Sequence, residues 1–265
     1  MLSSALEPLL TGDSDFDQDE RLAGLRLVRE QNFERLFDAL ADAGAGKRVL
    51  EIGPGHGLFL EMAAKRGYAA VAVEPDPDMA RALKAKGCDV IQDAFPSDAL
   101  QARQFDVVAF NDVFEHIPDA VATLQGVRSV LAPGGVLLIN LPNADGAIYR
   151  TASVLARLGW PAPYRRMWQA GYSSPHVHYF TPKTLRRLTT EHGFDEIASG
   201  NLTALTLEGL GARLHHTKDL GLVGAAIGYG AGLGYLALAP LLPSDTTFHL
   251  FRARRDESVG EAVKV

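Results

Sequence analysis

The stretch Val49–Gly57, VLEIGPGHG, restricts the fold of this chain more than any other. A short apolar run ends in a loop with glycines at 53, 55 and 57, and a helical pattern starts at Leu58. Glycine lets the backbone turn sharply and lets a ligand approach the main chain closely. The helix that follows begins with N–H groups that have no partner inside it. Strand, glycine loop and helix in that order open a nucleotide-binding α/β unit. The dinucleotide pattern Gly-x-Gly-x-x-Gly is not met, because Leu58 stands where its third glycine belongs. The spacing from Glu51 to Gly57 is instead Glu-x-Gly-x-Gly-x-Gly. A pyrophosphate has to sit on the helix N-terminus. A nucleoside that carries no phosphate does not, so Leu58 disfavours a nicotinamide oxidoreductase.

Around this loop, apolar runs alternate with helical patterns. The runs Arg48–Ile52, Ala69–Val73, Asp89–Gln92, Asp106–Phe110 and Val136–Leu141 predict five strands. Between them Leu58–Arg66, Asp78–Lys86 and Ala120–Leu131 predict helices, with Asp78 placed to start the second and Gly87 to stop it. Near-continuous apolar strands separated by helices imply βαβ crossovers and a mainly parallel sheet covered on both faces. Upstream, Glu20–Leu40 predicts an N-terminal helix, with apolar residues at helical spacing. Downstream, Thr181–His192 predicts a helix with Pro182 in its first turn and Gly193 at its end. Phe194–Ser199 and Thr246–Arg252 predict two further strands.

The expected organisation is one α/β domain with insertions. Residues 1–45 form a helical cap, 46–142 the nucleotide-binding core, 143–180 a lid and 181–265 the rest of the core. An apolar insertion spans 205–243 within that last part. With 265 residues, 47% of them hydrophobic, the chain can bury a substantial core. A net charge of −6 gives no bulk attraction to a polyphosphate backbone, so nucleic acid is not an expected partner. The lone cysteine, Cys88, excludes an intramolecular disulfide and a cysteine-based metal site. The first residues lack the basic start of a signal peptide, which leaves a cytoplasmic location as the expectation.

Several polar residues fall directly after predicted strands. Glu74 follows the second strand, where a carboxylate can accept hydrogen bonds from both ribose hydroxyls. Asp93 follows the third, placed for an adenine amino group, and Asn111 follows the fourth, beside the point where strand order should reverse. At these residues a resemblance becomes specific. VLEIGPGHGLFLEMAAKRGY, VAVEPDPDMA, DAF, FDVVAFNDVFEHIPD and LAPGGVLLINLPN occur in that order, followed by PHVHYFTPKTLRRLTTEHGF. The chain resembles the class I S-adenosylmethionine (SAM)-dependent methyltransferases, and within them the ubiquinone-biosynthesis-like group, over roughly Lys47–Phe194. The resemblance implies a Rossmann-like, doubly wound sheet of seven strands with the last antiparallel. It implies SAM as cofactor, with Gly53, Gly55 and Gly57 along its methionine side, Glu74 at the ribose, and Asp93 with Ala94 at the adenine. Glu51, Asp76 and Asn111 complete the expected cofactor-binding set.

Methyl transfer from a sulfonium is an in-line displacement in which holding the partners in line supplies much of the rate. A hydroxyl acceptor needs a base; a carboxylate does not. Histidine suits that task near neutral pH. His116, five residues past Asn111 in FEHIPD, is one candidate catalytic residue, and ordering its loop is the competing role. His176 and His178 in PHVHYF are two more. Two histidines without a clear third ligand do not define a metal site, so no metal is expected. His56 shapes the glycine loop.

Tyr149, Trp160, Tyr164, Trp168 and Tyr172 in the lid can line an apolar acceptor pocket or pack the lid itself. Arg150, Arg157, Arg165 and Arg166 can meet an anionic acceptor group or remain solvated. From Leu220 to Ser244 no residue is charged. The sixth and seventh strands on either side must join one sheet, which excludes a single bilayer crossing. The segment is then a buried helical hairpin over the acceptor, or a surface for peripheral membrane contact or a lipid-like substrate. The leading expectation is an O-methyltransferase for an apolar small molecule. N- or C-methylation on the same scaffold and a non-catalytic SAM-fold partner protein are the alternatives.

Overall fold

The computed structural model describes residues 15–169, 171, 174–206 and 222–254. Tyr172, Leu220, Gly221 and the polar tail from residue 255 lie outside them. The elements in chain order are α1 (Asp15–Asp42), β1 (Arg48–Ile52), α2 (Leu58–Lys65), β2 (Ala69–Val73), α3 (Pro77–Ala85), β3 (Asp89–Ile91), β4 (Phe105–Asn111) and α4 (Ala120–Val130). They continue with β5 (Leu131–Pro142), α5 (Ala147–Arg157), α6 (Ala162–Met167), α7 (Pro182–Glu191), β6 (Phe194–Leu202), α8 (Leu222–Leu238) and β7 (Thr246–Ala253).

The seven strands form one sheet in the order β3-β2-β1-β4-β5-β7-β6, with the last strand antiparallel. β1 pairs in parallel with both β2 and β4. The chain therefore winds outward through β2 and β3, then returns past β1 to β4 and β5. The strand order reverses between β1 and β4, where ligands of doubly wound sheets bind. This is the Rossmann-like architecture that the alternation of strands and helices predicts.

Two compact units are present. One comprises Phe37–Leu141, Phe180–Gly200 and Thr247–Val265, and the other Met1–Leu36, Pro142–Tyr179 and Asn201–Thr246. The first holds most of the sheet. Its larger core runs from Leu50 and Val108 through Phe110, Phe114, Leu124 and Leu137 to Phe251, all fully buried. A smaller cluster on Leu60, Ala72, Ala80, Leu83 and Val90 packs α2 and α3 onto β2 and β3. The end of α1 is fixed by Phe37, stacked on Phe59 at 4.7 Å and beside Tyr68 at 5.3 Å. On the far strands, buried His249 lies 2.6 Å from Glu196, which also pairs with Arg186 at 2.7 Å, so that β7, β6 and α7 are pinned together.

Several boundaries differ from the sequence expectation by a few residues, among them those of α3, β5 and β6. α3 starts at Pro77 rather than Asp78, because Asp76 is the cap. Its carboxylate accepts the N–H groups of Asp78 and Met79, both at 2.9 Å, and Pro77 presets the first turn. β5 starts at Leu131 rather than Val136. Leu131 already pairs with Phe105; the register then jumps to Val107–Val136, and the Pro133–Gly134 excursion absorbs the difference as a bulge. β6 runs three residues past Ser199, to Leu202.

In the second unit, the excursion after β5 is two helices. Asp245 anchors it: its Oδ1 accepts the Ile148 N–H at the start of α5 at 2.7 Å, and its Oδ2 accepts the Tyr235 hydroxyl from α8 at 2.7 Å. Among the described residues the apolar segment is the helix α8, followed by a short turn at Ala239–Leu241. Its described side chains are mostly exposed rather than buried. No helix among the described residues is long and apolar enough to cross a membrane.

Candidate active site

The first unit presents the carboxyl ends of β1, β2, β3 and β4, which are neighbouring strands, and the predicted cofactor residues follow them one by one. After β1 the glycine loop has positive φ at all three positions, +64 at Gly53, +53 at Gly55 and +83 at Gly57. A Cβ on Gly53 would meet the Val113 side chain at 2.9 Å, and one on Gly57 would meet Leu83 at 2.6 Å. Those two glycines are demanded by the protein itself. A Cβ on Gly55 meets nothing within 4 Å, so Gly55 borders open space and leaves main chain accessible to a ligand. This divides their roles experimentally. Gly57→Ala is expected to lower the melting temperature sharply. Gly55→Ala should cost the fold about 1 kcal/mol for the left-handed backbone while weakening SAM binding about tenfold, ~1.4 kcal/mol. Thermal melts and SAM titrations of both variants check it; unaltered SAM affinity in Gly55→Ala leaves the loop a simple turn.

After β2, Glu74 is 7% exposed. Its Oε1 accepts the Asp76 N–H at 2.9 Å, which leaves Oε2 for another donor. Burial raises its pKa, and the Asp76 N–H works against that. The Asp76 carboxylate faces α3 as its cap. It shapes the Glu74 turn through its main chain. After β3, exposed Asp93 accepts the Ser97 hydroxyl at 2.6 Å and the Ala94 N–H at 2.8 Å. Those two hydrogen bonds, that of Ser97 foremost, hold its carboxyl below the usual range. Ala94 is exposed beside it.

At the switch point, Asn111 donates its amide to Glu51 Oε1 at 2.8 Å and accepts the Asn140 amide at 2.8 Å. Glu51, Asn111 and Asn140 thus form one hydrogen-bonded chain across β1, β4 and β5, with Glu51 and Asn140 buried. Asn140 was missed in the sequence, although a polar residue near the end of VLLINL, in a strand buried on both faces, signals it. Asp112 takes a left-handed φ of 55, uncommon outside glycine, and the chain turns there into Phe114–His116. His116 is half-buried on this turn.

Glu115 beside it is 2% exposed. Burial, reinforced by the nearby Asp112 carboxylate, pushes its pKa well above the usual range. The native chain therefore holds a proton that the unfolded chain releases. The associated stability is complete below pH ~4.5 and declines as pH rises toward the folded pKa. Glu115→Gln, which cannot ionise, is expected to match the parent near pH 4. At pH 8 it should be more stable than the parent, because rising pH draws stability from the parent alone. Urea melts at the two pH values measure this, and equal stability at both removes Glu115 as a proton-holding group.

The second unit carries His176 and His178 on a stretch without regular structure. His176 is buried, its Nε2 lies 2.9 Å from Gln169 Nε2, and its ring lies 5.4 Å from Tyr179. His178 is half-buried. The lid aromatics Tyr149, Tyr164 and Trp168 cluster with Tyr179, whose ring lies 4.2 Å from Tyr149 and 5.4 Å from Trp168. Tyr179 was not singled out in the sequence. Trp160 stays 59% exposed. The Tyr149 and Tyr164 hydroxyls are 3.1 Å apart. Burial and this bond push Tyr149 up to about 12, so it carries its proton at neutral pH.

These residues fit an adenosyl sulfonium. The open backbone at Gly55, the second Glu74 oxygen and the exposed Asp93–Ala94 pair are groups compatible with such a ligand. A methyltransferase-domain family model matches residues 27–199. The chain is 31% identical over 160 residues to the ubiquinone biosynthesis O-methyltransferase of Psychrobacter arcticus, covering 57% of this chain and 60% of that one. It is 32% identical over 117 residues to the enzyme of the same name from Xanthomonas axonopodis pv. citri, covering 42% and 49%. It thus spans about half to three fifths of the length of these relatives. Among solved structures it is similar to magnesium protoporphyrin IX methyltransferase from Synechocystis with bound S-adenosylhomocysteine. The TM-score is 0.55 at 13% identity, over 92% of this chain and 90% of the other. The chain belongs to the methyltransferase-domain family, with the fold and cofactor of the class I SAM-dependent enzymes.

Proposed function

We propose that the protein methylates an oxygen atom of an apolar or lipid-like small molecule. SAM, when bound, supplies an electrophilic methyl group on a cationic sulfur. The chain's part is to hold that group and the acceptor in line and to receive the acceptor's proton. The glycine loop, Glu74 and Asp93 fix the nucleoside, and the Glu51–Asn111–Asn140 chain fixes the floor at the switch point. Fixed geometry of this kind supplies much of the rate of a displacement.

The single observation that carries the acceptor reading is the aromatic cluster of Tyr149, Tyr164, Trp168 and Tyr179 in the lid unit. It offers an apolar surface with two hydroxyls at its edge. The names of the relatives support oxygen as the acceptor atom. Tyr149, pushed up to about 12, is a poor base, which leaves His116, His176 and His178 as the candidates to take a hydroxyl proton. A labelled-methyl transfer screen against quinols, phenols, fatty acids and glycolipids tests the proposal. Label is expected in a quinol or phenol ether. Label only in amines, or only at carbon, replaces O-methylation by the N- or C-methyl alternative, and no transfer to any acceptor favours a SAM-binding partner protein.

A further inference from the structure

Tyr164 lies on α6 and Trp168 at its C-terminal cap, four residues apart, so both side chains leave one face of the helix. Their rings lie 6.3 Å apart, and the Tyr149 ring of α5 lies 5.6 Å from that of Tyr164. The Trp168 main chain is held at both ends. Its N–H donates to the Tyr164 carbonyl at 3.3 Å, and its carbonyl accepts the His176 N–H at 3.2 Å. The side chains of this fixed group hold more hydrogen-bond donors than acceptors.

The Tyr149 and Tyr164 hydroxyls, 3.1 Å apart, carry one proton each, and the single bond between them uses one of the two. Neither hydroxyl has a second hydrogen-bond partner among the described residues. The Trp168 Nε1 is buried and makes no hydrogen bond of full geometry among the described residues. It lies near the Tyr149 oxygen: burial and Tyr164 push that hydroxyl up, and the Trp168 N–H works against them. With the indole on its oxygen, Tyr149 donates to Tyr164, and Tyr164 keeps the spare proton. The Tyr164 O–H and the Trp168 N–H therefore flank one hydroxyl, and neither is fully met. Buried donors left in that state cost stability, so the arrangement calls for an accepting atom from a ligand. From Gly146 to Thr190 the chain has no Asp or Glu to supply one. A carbonyl oxygen suits the place, with two lone pairs and no proton of its own. A carboxylate would surrender its hydration beside aromatic rings, which is costly.

We infer that the Tyr164 hydroxyl and the Trp168 indole N–H grip a carbonyl oxygen of the acceptor, so that the protein selects aromatic acceptors that carry one. The inference rests on the apolar acceptor surface proposed above. Two phenols of nearly equal size separate the contact from that surface. In para-hydroxyacetophenone a carbonyl stands where para-ethylphenol has a methylene. Binding of each to the full chain is measured by calorimetry with S-adenosylhomocysteine present, so the result does not depend on which atom is methylated. The parent is expected to bind the ketone roughly tenfold more tightly, the worth of one to two hydrogen bonds. Tyr164→Phe and Trp168→Phe should each lower that ratio to about threefold, and the double variant to about one, with para-ethylphenol affinity within about twofold of the parent throughout. Unchanged S-adenosylhomocysteine affinity shows that each variant is folded. A preference for the ketone that survives in the double variant overturns the inference, and so does a parallel loss of both phenols in the folded single variants. If the parent binds both phenols equally, the inference falls and the apolar acceptor surface stands; if it binds neither, both fall.

Discussion

The His116→Ala protein is expected to bind SAM within about twofold of the parent yet turn over roughly 10²–10⁴-fold more slowly, the range that a lost general base costs. His116 sits on the short turn that follows β4 at the switch point, half-buried and two residues beyond fully buried Phe114. Its main-chain N–H already closes the turn onto Val113 at 2.9 Å, so removing the imidazole leaves the turn's own hydrogen bond intact. A slow enzyme alone does not separate proton removal from loop ordering. Chemical rescue does. If His116 takes the acceptor's proton, added imidazole restores part of the variant's turnover. If it restores none, His116 orders the loop and the base is His176 or His178.

Glu74→Ala should raise the dissociation constant for SAM about 10- to 10⁴-fold. The range corresponds to losing one or two hydrogen bonds to a charged group, each worth roughly 1.5–3 kcal/mol. Desolvation works in the same direction as the ligand: burial makes the lone carboxylate costly and raises its pKa, and ribose hydroxyls relieve that cost. Glu74→Gln, which keeps an acceptor for the Asp76 N–H, should lie between the parent and the alanine variant. Calorimetric titration with SAM and, in parallel, with NAD measures both. Unchanged SAM affinity takes Glu74 out of the site, and binding of NAD without SAM would return the loop to dinucleotide chemistry.

The parts of the fold legible in the sequence are those governed by local rules. Five apolar runs separated by helical periods are enough to define a parallel sheet, since no other arrangement buries both faces of such strands. Glycines at 53, 55 and 57 and carboxylates at strand ends mark the candidate cofactor edge by equally local rules. What stayed hidden depends on contacts across distance. Asp78 looked like a helix cap, but Asp76 is one because Pro77 takes the first turn. The early start of β5 at Leu131 follows from its pairing with Phe105, which no local pattern records. Nothing in a linear reading distinguishes Gly55, beside open space, from Gly57, against Leu83. The Tyr149–Tyr164 hydroxyl pair exists only once α5 and α6 fold back on each other.

The hydroxyl of Ser244 shares its one proton between two carbonyls, Thr246 at 2.8 Å and Leu202 at 3.2 Å. It staples the last residue of β6 to the first of β7. The chain that departs after Leu202 is thereby returned to its starting point, and loop length costs only about 0.6 kcal/mol per doubling once the ends are held. The segment between Leu202 and Ser244, α8 included, is therefore tethered at both ends, and changes in its length cost the sheet little as long as Ser244 and Asp245 are kept. The surface this protein offers to its surroundings is free to diversify faster than the chemistry it performs.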